Sequence, residues 1–226
     1  MRLQRCRRAR PTFFSTFYFF ITHVIYYYLK SEYLFPTQIA SGTIKDFDSF
    51  KQDLIDWIYE YKKQDSGISK ISNKRGWQSL SKEVFTEEGF TPFKDKLIPC
   101  ITQLTDEFRV GQRMDLVQMW LNVNGPFSYN VSHRHPGCEL AGVLWIKQTP
   151  ESGRFVFDNM DVGYRDAMLL NATDREYLEE KKMPPEYVPD YTDGTMILFP
   201  GNFTHRVEIN ETTEDRISLS FNIKII

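Results

Sequence analysis

Arg113 to Asn124 reads RMDLVQMWLNVN, and its alternation decides the kind of fold this chain adopts. Val117, Met119, Leu121 and Val123 fall on one side of an extended strand, and Gln118, Trp120 and Asn122 on the other. A second face that mixes amides with a large ring reads as the wall of an occupied cavity. Further strands follow in LAGVLWIKQ from Leu140, GRFVFDN from Gly153, GTMILFP from Gly194, FTHRVEI from Phe203 and DRISLSFNIKII from Asp215. Gly, Pro, Asn and Asp turns separate them. Among these strands only Asp174 to Lys182 has helical character, as a charged helix inside a long insertion. Many short strands with tight turns imply a mainly β fold, closed as a sandwich or barrel with helices packed outside.

Upstream of Arg113 the period is helical. DFDSFKQDLIDWIYEYKKQ, from Asp46, sets Phe47, Phe50, Leu54, Trp57, Ile58 and Tyr61 at three- and four-residue steps. Its acidic residues lie in the first turn and Lys62 and Lys63 in the last, the arrangement that suits a helix dipole. The next segment, DSGISKISNKRGWQSL, reads as loop with a short strand. A second helix is expected from Phe93 to Phe108, with Leu97, Ile98, Ile101, Leu104 and Phe108 on one face and Pro99 early in it or at a kink.

The formal charge of −2 averages two unlike parts of the 226 residues. Residues 1–32 carry Arg2, Arg5, Arg7, Arg8, Arg10 and Lys30 against Glu32 alone, while residues 33–226 hold 22 basic and 29 acidic groups. Nine of the 34 aromatic residues lie between Phe13 and Tyr28. The leader, 1–32, is therefore read apart from a single domain, 33–226. Its uncharged run, residues 11–29, approaches the roughly 20 residues of a membrane-spanning helix, but is built from Phe, Tyr, Thr and Ser rather than Leu. An N-terminal anchor and an extension outside the working protein are both open readings, and membrane contact is expected only through residues 11–29. The acidic body has no dense basic run, so no direct nucleic-acid partner is expected. Cys6, Cys100 and Cys138 form neither a disulfide framework nor a CxxC zinc site, which suits a reducing compartment and a cytoplasmic catalytic domain.

The chemistry concentrates in three of the four histidines. His133 and His135 are two residues apart, so on a strand both rings point the same way, as two ligands of one metal must. His205 follows the turn Pro200-Gly201-Asn202 and could close a facial set from a second strand. The bland alternative makes HRH a polar strand end and His205 a solvated turn residue. Arg216 begins a strand on which Arg216, Ser218, Ser220 and Asn222 share one face and Ile217, Leu219, Phe221 and Ile223 the other. An inward Arg needs an anion, and its planar fork matches a carboxylate bidentately. A salt bridge to Asp215, Glu214 or Asp158 is the structural alternative.

These strings, with LFPTQI, NKRGWQS, MWLNVN, SHRHPGCELAGVLWIK, SGRFVFDN, GTMILFPGNFTHRV and RISLSFN in this order, resemble the 2-oxoglutarate/Fe(II)-dependent oxygenase superfamily, in particular the small oxygenases of marine phages and bacteria. The resemblance spans most of residues 33–226 and stops short of the leader. It implies a double-stranded β-helix, a jelly-roll or cupin-like barrel, with the N-terminal helices outside it. It also implies Fe(II) and 2-oxoglutarate as cofactors, dioxygen and a small-molecule or peptide substrate as partners, and hydroxylation with release of succinate and CO2. His133 and His205 take the positions of the two histidine ligands, and Arg216 with Ser218 those that hold the far carboxylate of 2-oxoglutarate. Where the superfamily usually has a carboxylate, this chain has His135. The third ligand is then His135, in line with the HxH of the phage-like group, or Glu139 beyond Pro136 and Gly137. Asn122 and Tyr129 are candidates to hydrogen-bond the cosubstrate near the metal, while Trp120 packs in the cavity wall. No further catalytic residue is expected beyond these ligands.

Two other readings share the barrel. A cupin could use His133, His135, Glu139 and His205 without 2-oxoglutarate, and a metal-free jelly roll could serve as a binding protein. Substrate choice is expected in the loops and in the insertion Gly163 to Asp193, which offers Tyr164, Arg165, Tyr177, Tyr187 and Tyr191.

Overall fold

The computed structural model describes residues 37–68, 72–159, 175–180 and 184–226. They fall in the compact unit Phe35–Ile226; the other unit, Met1–Leu34, lies outside the described residues, and with it both readings of the leader. No described helix is long and apolar enough to cross a membrane.

In chain order the elements are β1 (Ala40–Thr43), α1 (Lys51–Gln64), β2 (Asn73–Lys74), β3 (Trp77–Gln78), α2 (Thr91–Asp106), β4 (Met114–Asn124), β5 (Tyr129–His133), β6 (Leu140–Lys147), β7 (Phe155–Asp158), α3 (Arg175–Glu180), β8 (Glu186–Tyr187), β9 (Thr195–Pro200), β10 (His205–Val207) and β11 (Arg216–Ile225). Two antiparallel sheets form the body. One has six strands in the order β1-β9-β6-β11-β4-β3 and the other has five, β2-β5-β10-β7-β8. This is the double-stranded β-helix with N-terminal helices that the strand pattern and the resemblance imply.

The alternation read from RMDLVQMWLNVN runs through the whole larger sheet and divides two cores. Met119, Leu121 and Val123 of β4, Leu144 and Ile146 of β6, Met196 and Leu198 of β9, and Ile217, Leu219 and Phe221 of β11 form one buried cluster with Leu54, Ile58, Phe90, Leu97 and Ile101 from the helical layer. The opposite residues face the barrel interior, where Ala141, Val143, Trp145, Ile197 and Phe199 meet Phe155 and Phe157 of the smaller sheet. A strand with two buried faces cannot alternate apolar with polar unless one interior is itself polar. On β4 and β11 it is: the inward side chains are Gln118, Trp120, Asn122, Asn124, Arg216, Ser218, Ser220 and Asn222, paired in register across the two strands.

The helical layer holds its place by burial. Leu54 and Ile58 are fully buried one turn apart on α1, and each such side chain contributes about 1.5–3 kcal/mol by leaving water. Phe47 sits in a short turn of 3₁₀ helix, Phe47–Ser49, so the expected first helix begins only at Lys51. The second helix starts two residues earlier than expected and includes Pro99, which deprives the Asp95 carbonyl of its donor without ending the helix. Gly142 of β6 lies opposite Phe221 of β11, and any Cβ there would collide with the Phe221 ring. The expected insertion helix is described over Arg175–Glu180.

Candidate metal and cosubstrate site

His133 closes β5 and His205 opens β10, and the two residues face each other in register across the smaller sheet. Their ring centroids are 4.2 Å apart. His135 lies two residues beyond the end of β5, in the turn that Pro136 and Gly137 complete. Its backbone N–H donates to the Gly201 carbonyl at 2.7 Å, which ties it to the turn before β10. Its ring centroid stands 5.2 Å from His133 and 5.0 Å from His205. One nitrogen from each ring lies within 4.8 Å of the others, a donor set that could hold one metal ion.

Backbone carbonyls aim two of the rings. His133 Nδ1 lies 2.8 Å from the Val131 carbonyl and His205 Nδ1 lies 2.9 Å from the Phe203 carbonyl. A carbonyl only accepts, so both Nδ1 atoms carry the proton and both Nε2 lone pairs are left for a metal. Burial keeps the set uncharged. It pushes His205 well below the ordinary imidazole value and lowers His133. For His135, burial and the neighbouring His133 bring the pKa to about 4. Neutral imidazoles are the form that binds metal, and three together, with no carboxylate, suit iron better than magnesium or calcium.

Glu139, the alternative ligand, is turned elsewhere: its Oε2 accepts the Ile225 N–H at 2.9 Å, and it is outside the metal-capable group. The four-ligand cupin set is therefore not assembled. Trp120 stacks on His135 with ring centroids 5.7 Å apart and carries the Lys82 ammonium over its face. It is cavity wall, as expected.

Arg216 is 3 % exposed and lines the same cavity as the histidines. The acidic residues considered as partners are all engaged by others. Asp215 accepts from the Tyr59 hydroxyl, Glu214 pairs with Lys147, and Asp158 pairs with Arg206. Arg216 Nη1 donates to the carbonyls of Ser152 and Glu208, while Nη2 is buried without any hydrogen-bond partner. Burial lowers its pKa to about 10. A guanidinium in this state lacks an anion, and its orphan donor says where one would sit. Beside it, Asn122 Nδ2 donates to Ser220 Oγ at 3.1 Å and approaches Ser218 Oγ at 3.5 Å. Both hydroxyl protons stay free for an acceptor in the cavity.

Tyr129 does not join this group. The register between β10 and β5 slips, His205 opposing His133 but Val207 opposing Asn130, so one extra residue bulges on β5. The bulge reverses the alternation: Asn130 enters the cavity beside His133, and Tyr129 lines an open outer groove of about 520 Å³ with Val131, Arg154 and Arg206. Three polar cavity residues, Ser72, Asn124 and Asn130, were thus missed from the sequence. Asn124 continues the polar face of Gln118, Trp120 and Asn122 and was legible there; Asn130 was hidden by the bulge. Of the insertion residues, Tyr164 and Arg165 lie outside the described residues, and Tyr191 packs against the inner core, stacked on Trp145 and accepting the Phe155 N–H.

Comparison with known proteins follows the same lines. Residues 118–222 match the family described as "Putative 2OG-Fe(II) oxygenase". No curated protein matches the chain in sequence. Among solved structures the chain is similar to a prolyl-4-hydroxylase from Pseudomonas putida (9 % identity, TM-score 0.55, 84 % of this chain and 94 % of that one). It is similar also to HygX from Streptomyces hygroscopicus, solved with nickel and 2-oxoglutarate (13 % identity, TM-score 0.54, 84 % and 83 %). A third is a prolyl hydroxylase from Trichoplax adhaerens, in complex with a hypoxia-inducible-factor peptide (9 % identity, TM-score 0.57, 83 % and 83 %). At these identities the likeness is one of fold. The family match covers the stretch that holds His133, His135, His205 and Arg216 together.

Proposed function

We propose that this enzyme hydroxylates a small-molecule or peptide substrate, consuming 2-oxoglutarate and dioxygen and releasing succinate and carbon dioxide. The observation that carries this reading is the buried, anion-less Arg216 with its orphan Nη2, in one cavity with three neutral imidazoles. A 2-oxo diacid fits the two ends: a carboxylate for the guanidinium and an oxo acid for the metal.

His133, His135 and His205 would hold Fe(II), and Arg216, Ser218 and Asn122 the cosubstrate. Bound iron and 2-oxoglutarate would supply activation of dioxygen, one oxygen atom leaving in succinate and the other in the hydroxylated product. The protein's own work is placement. Arg216 would offer the far carboxylate the Nη2 donors left free on its guanidinium, Nη1 being held by the Ser152 and Glu208 carbonyls. Ser218 adds a hydroxyl donor, its oxygen already occupied from the Asn122 side. Phe155, Phe199, Val143 and Trp145 form the apolar part of the lining and limit water around the reacting atoms.

An anaerobic Fe(II) titration with and without 2-oxoglutarate tests the reading. A metal-to-ligand charge-transfer band that needs both components, and 2-oxoglutarate turnover that disappears in His205→Ala and drops strongly in Arg216→Ala, are expected. Turnover unchanged in both variants would refute it.

A further inference from the structure

The string Ser72-Asn73-Lys74-Arg75-Gly76-Trp77 has no part in the proposed chemistry, yet it crosses between the two sheets beside the cavity. β2 pairs with β5 in the smaller sheet and β3 pairs with β4 in the larger one, so Arg75 and Gly76 carry the chain from one sheet to the other. Arg75 takes the left-handed conformation, φ +64°. At Gly76 only a hydrogen fits, because a Cβ would collide with Asn124 Oδ1 and Asn73 Oδ1. The glycine makes room for a row of amides.

Asn73 Nδ2 donates to Asn124 Oδ1 at 2.9 Å, Asn124 Nδ2 to Asn130 Oδ1 at 3.2 Å, and Asn130 Nδ2 to Ser72 Oγ at 3.5 Å. The direction of the row is set at its head. Asn73 Nδ2 also faces the Trp77 carbonyl at 3.4 Å, and a carbonyl only accepts. Asn124 and Asn130 therefore each turn the oxygen back towards Asn73 and the NH2 on towards Ser72. The row ends on a hydroxyl whose oxygen already accepts, which leaves the Ser72 proton to be donated. Ser72, Asn73 and Asn124 are buried. Ser72, Asn124 and Asn130 line the cavity, and Asn124 is the register partner of Arg216, so the row runs beside the guanidinium.

We infer that Ser72 is a further binding residue for the far carboxylate of 2-oxoglutarate, and that Asn73, Asn124 and Asn130 are positioning residues that aim its hydroxyl proton. A carboxylate offers about four acceptor sites. Arg216 has only Nη2 free to fill them, since Nη1 is held by the Ser152 and Glu208 carbonyls. The hydroxyls of Ser218 and Ser72 supply what the guanidinium lacks, one from β11 and one from the segment before β2. Amides pointing one way polarise the last donor of the row, and an anion gains most from such a donor. This inference rests on 2-oxoglutarate as the cosubstrate of the proposed function.

The test uses the full chain loaded with Zn(II) and compares 2-oxoglutarate with 2-oxovalerate, which has a methyl group in place of the far carboxylate. In isothermal titration Ser72→Ala should bind 2-oxoglutarate about 10- to 100-fold more weakly than wild type and bind 2-oxovalerate as wild type does. Ser72→Thr, which keeps the hydroxyl, should recover affinity for 2-oxoglutarate. A Ser72→Ala protein with wild-type affinity for 2-oxoglutarate, or with equal losses for both acids, would overturn the inference. Wild type gives a second readout that needs no variant to fold. With ¹⁵N-labelled asparagine, the Asn130 side-chain amide resonances should move on adding 2-oxoglutarate and stay in place on adding 2-oxovalerate; an Asn130 amide that does not respond to 2-oxoglutarate would also overturn it. Wild type that binds the two acids equally, or neither, refutes the functional reading together with this inference. Wild type that prefers 2-oxoglutarate while Ser72→Ala keeps the same preference refutes this inference alone.

Discussion

Gly153 lies against the Arg216 guanidinium: a Cβ on Gly153 would stand 2.7 Å from Nη1 and press into the Glu208 backbone. Gly153 also has φ +95°, a conformation that L side chains rarely adopt. The loop that ends at this glycine supplies the Ser152 carbonyl that grips Nη1. Gly153→Ala is therefore expected to cost about 1–3 kcal/mol in urea unfolding and to raise the KM for 2-oxoglutarate several-fold. Unchanged values of both would show that the loop does not seat Arg216.

Arg216→Met separates binding from stability. It removes a buried charge that has no counter-ion in the metal- and ligand-free protein, so unfolding free energy without ligand should hold or rise. Affinity for 2-oxoglutarate should fall by at least about 2 kcal/mol, or roughly 30-fold. Isothermal titration and denaturant melts on the same preparation read both effects.

The bulge on β5 makes opposite predictions for neighbouring residues. Asn130 accepts from Asn124 Nδ2 at 3.2 Å inside the cavity. Asn130→Ala should cost about 1–3 kcal/mol by leaving that donor unpaired and weaken 2-oxoglutarate binding. Tyr129→Phe should change stability by no more than about 0.5 kcal/mol and leave 2-oxoglutarate turnover as it was. A larger effect at Tyr129 than at Asn130 would place the bulge elsewhere.

Acid should weaken the metal-free fold through the histidines. All three folded-state imidazoles lie below the ordinary imidazole value of about 6.5, with His135 at about 4, so the unfolded chain takes up protons first as pH falls. Their contribution is complete above pH 6.5 and is lost progressively as pH falls toward 4. In EDTA the melting temperature should be lower at pH 5 than at pH 7.5, and the difference should shrink in His135→Gln. An equal difference in that variant would mean that other groups set the pH response.

Much of this architecture could be read from local pattern. A period of two forces neighbouring side chains to opposite faces whatever the surroundings, so the polar inner face of Gln118, Trp120 and Asn122 and that of Arg216, Ser218, Ser220 and Asn222 were visible as soon as the strands were. The pairing of His133 with His135 needed only their spacing. The helices were legible from Leu54, Ile58, Leu97 and Ile101, with ends displaced by two to five residues because the turn at Phe47 and the prolines around α2 act on hydrogen bonds rather than on hydrophobic period.

What the sequence by itself determined is thus which residue types share a face: this follows from backbone geometry and is independent of partners. Three matters belonged to the tertiary structure. Whether His135 or Glu139 stands with the other histidines depended on the turn at Pro136-Gly137 and on the Gly201 carbonyl, 66 residues from His135 along the chain, that ties it down. Whether Tyr129 or Asn130 enters the cavity depended on one extra residue in the register with β10, which inverts every face beyond it. Whether Arg216 is neutralised internally depended on Tyr59, Lys147 and Arg206, each distant in sequence from the carboxylate it engages. Charge pairing and strand register are long-range choices among competing partners, and only the folded chain shows which partner each group has.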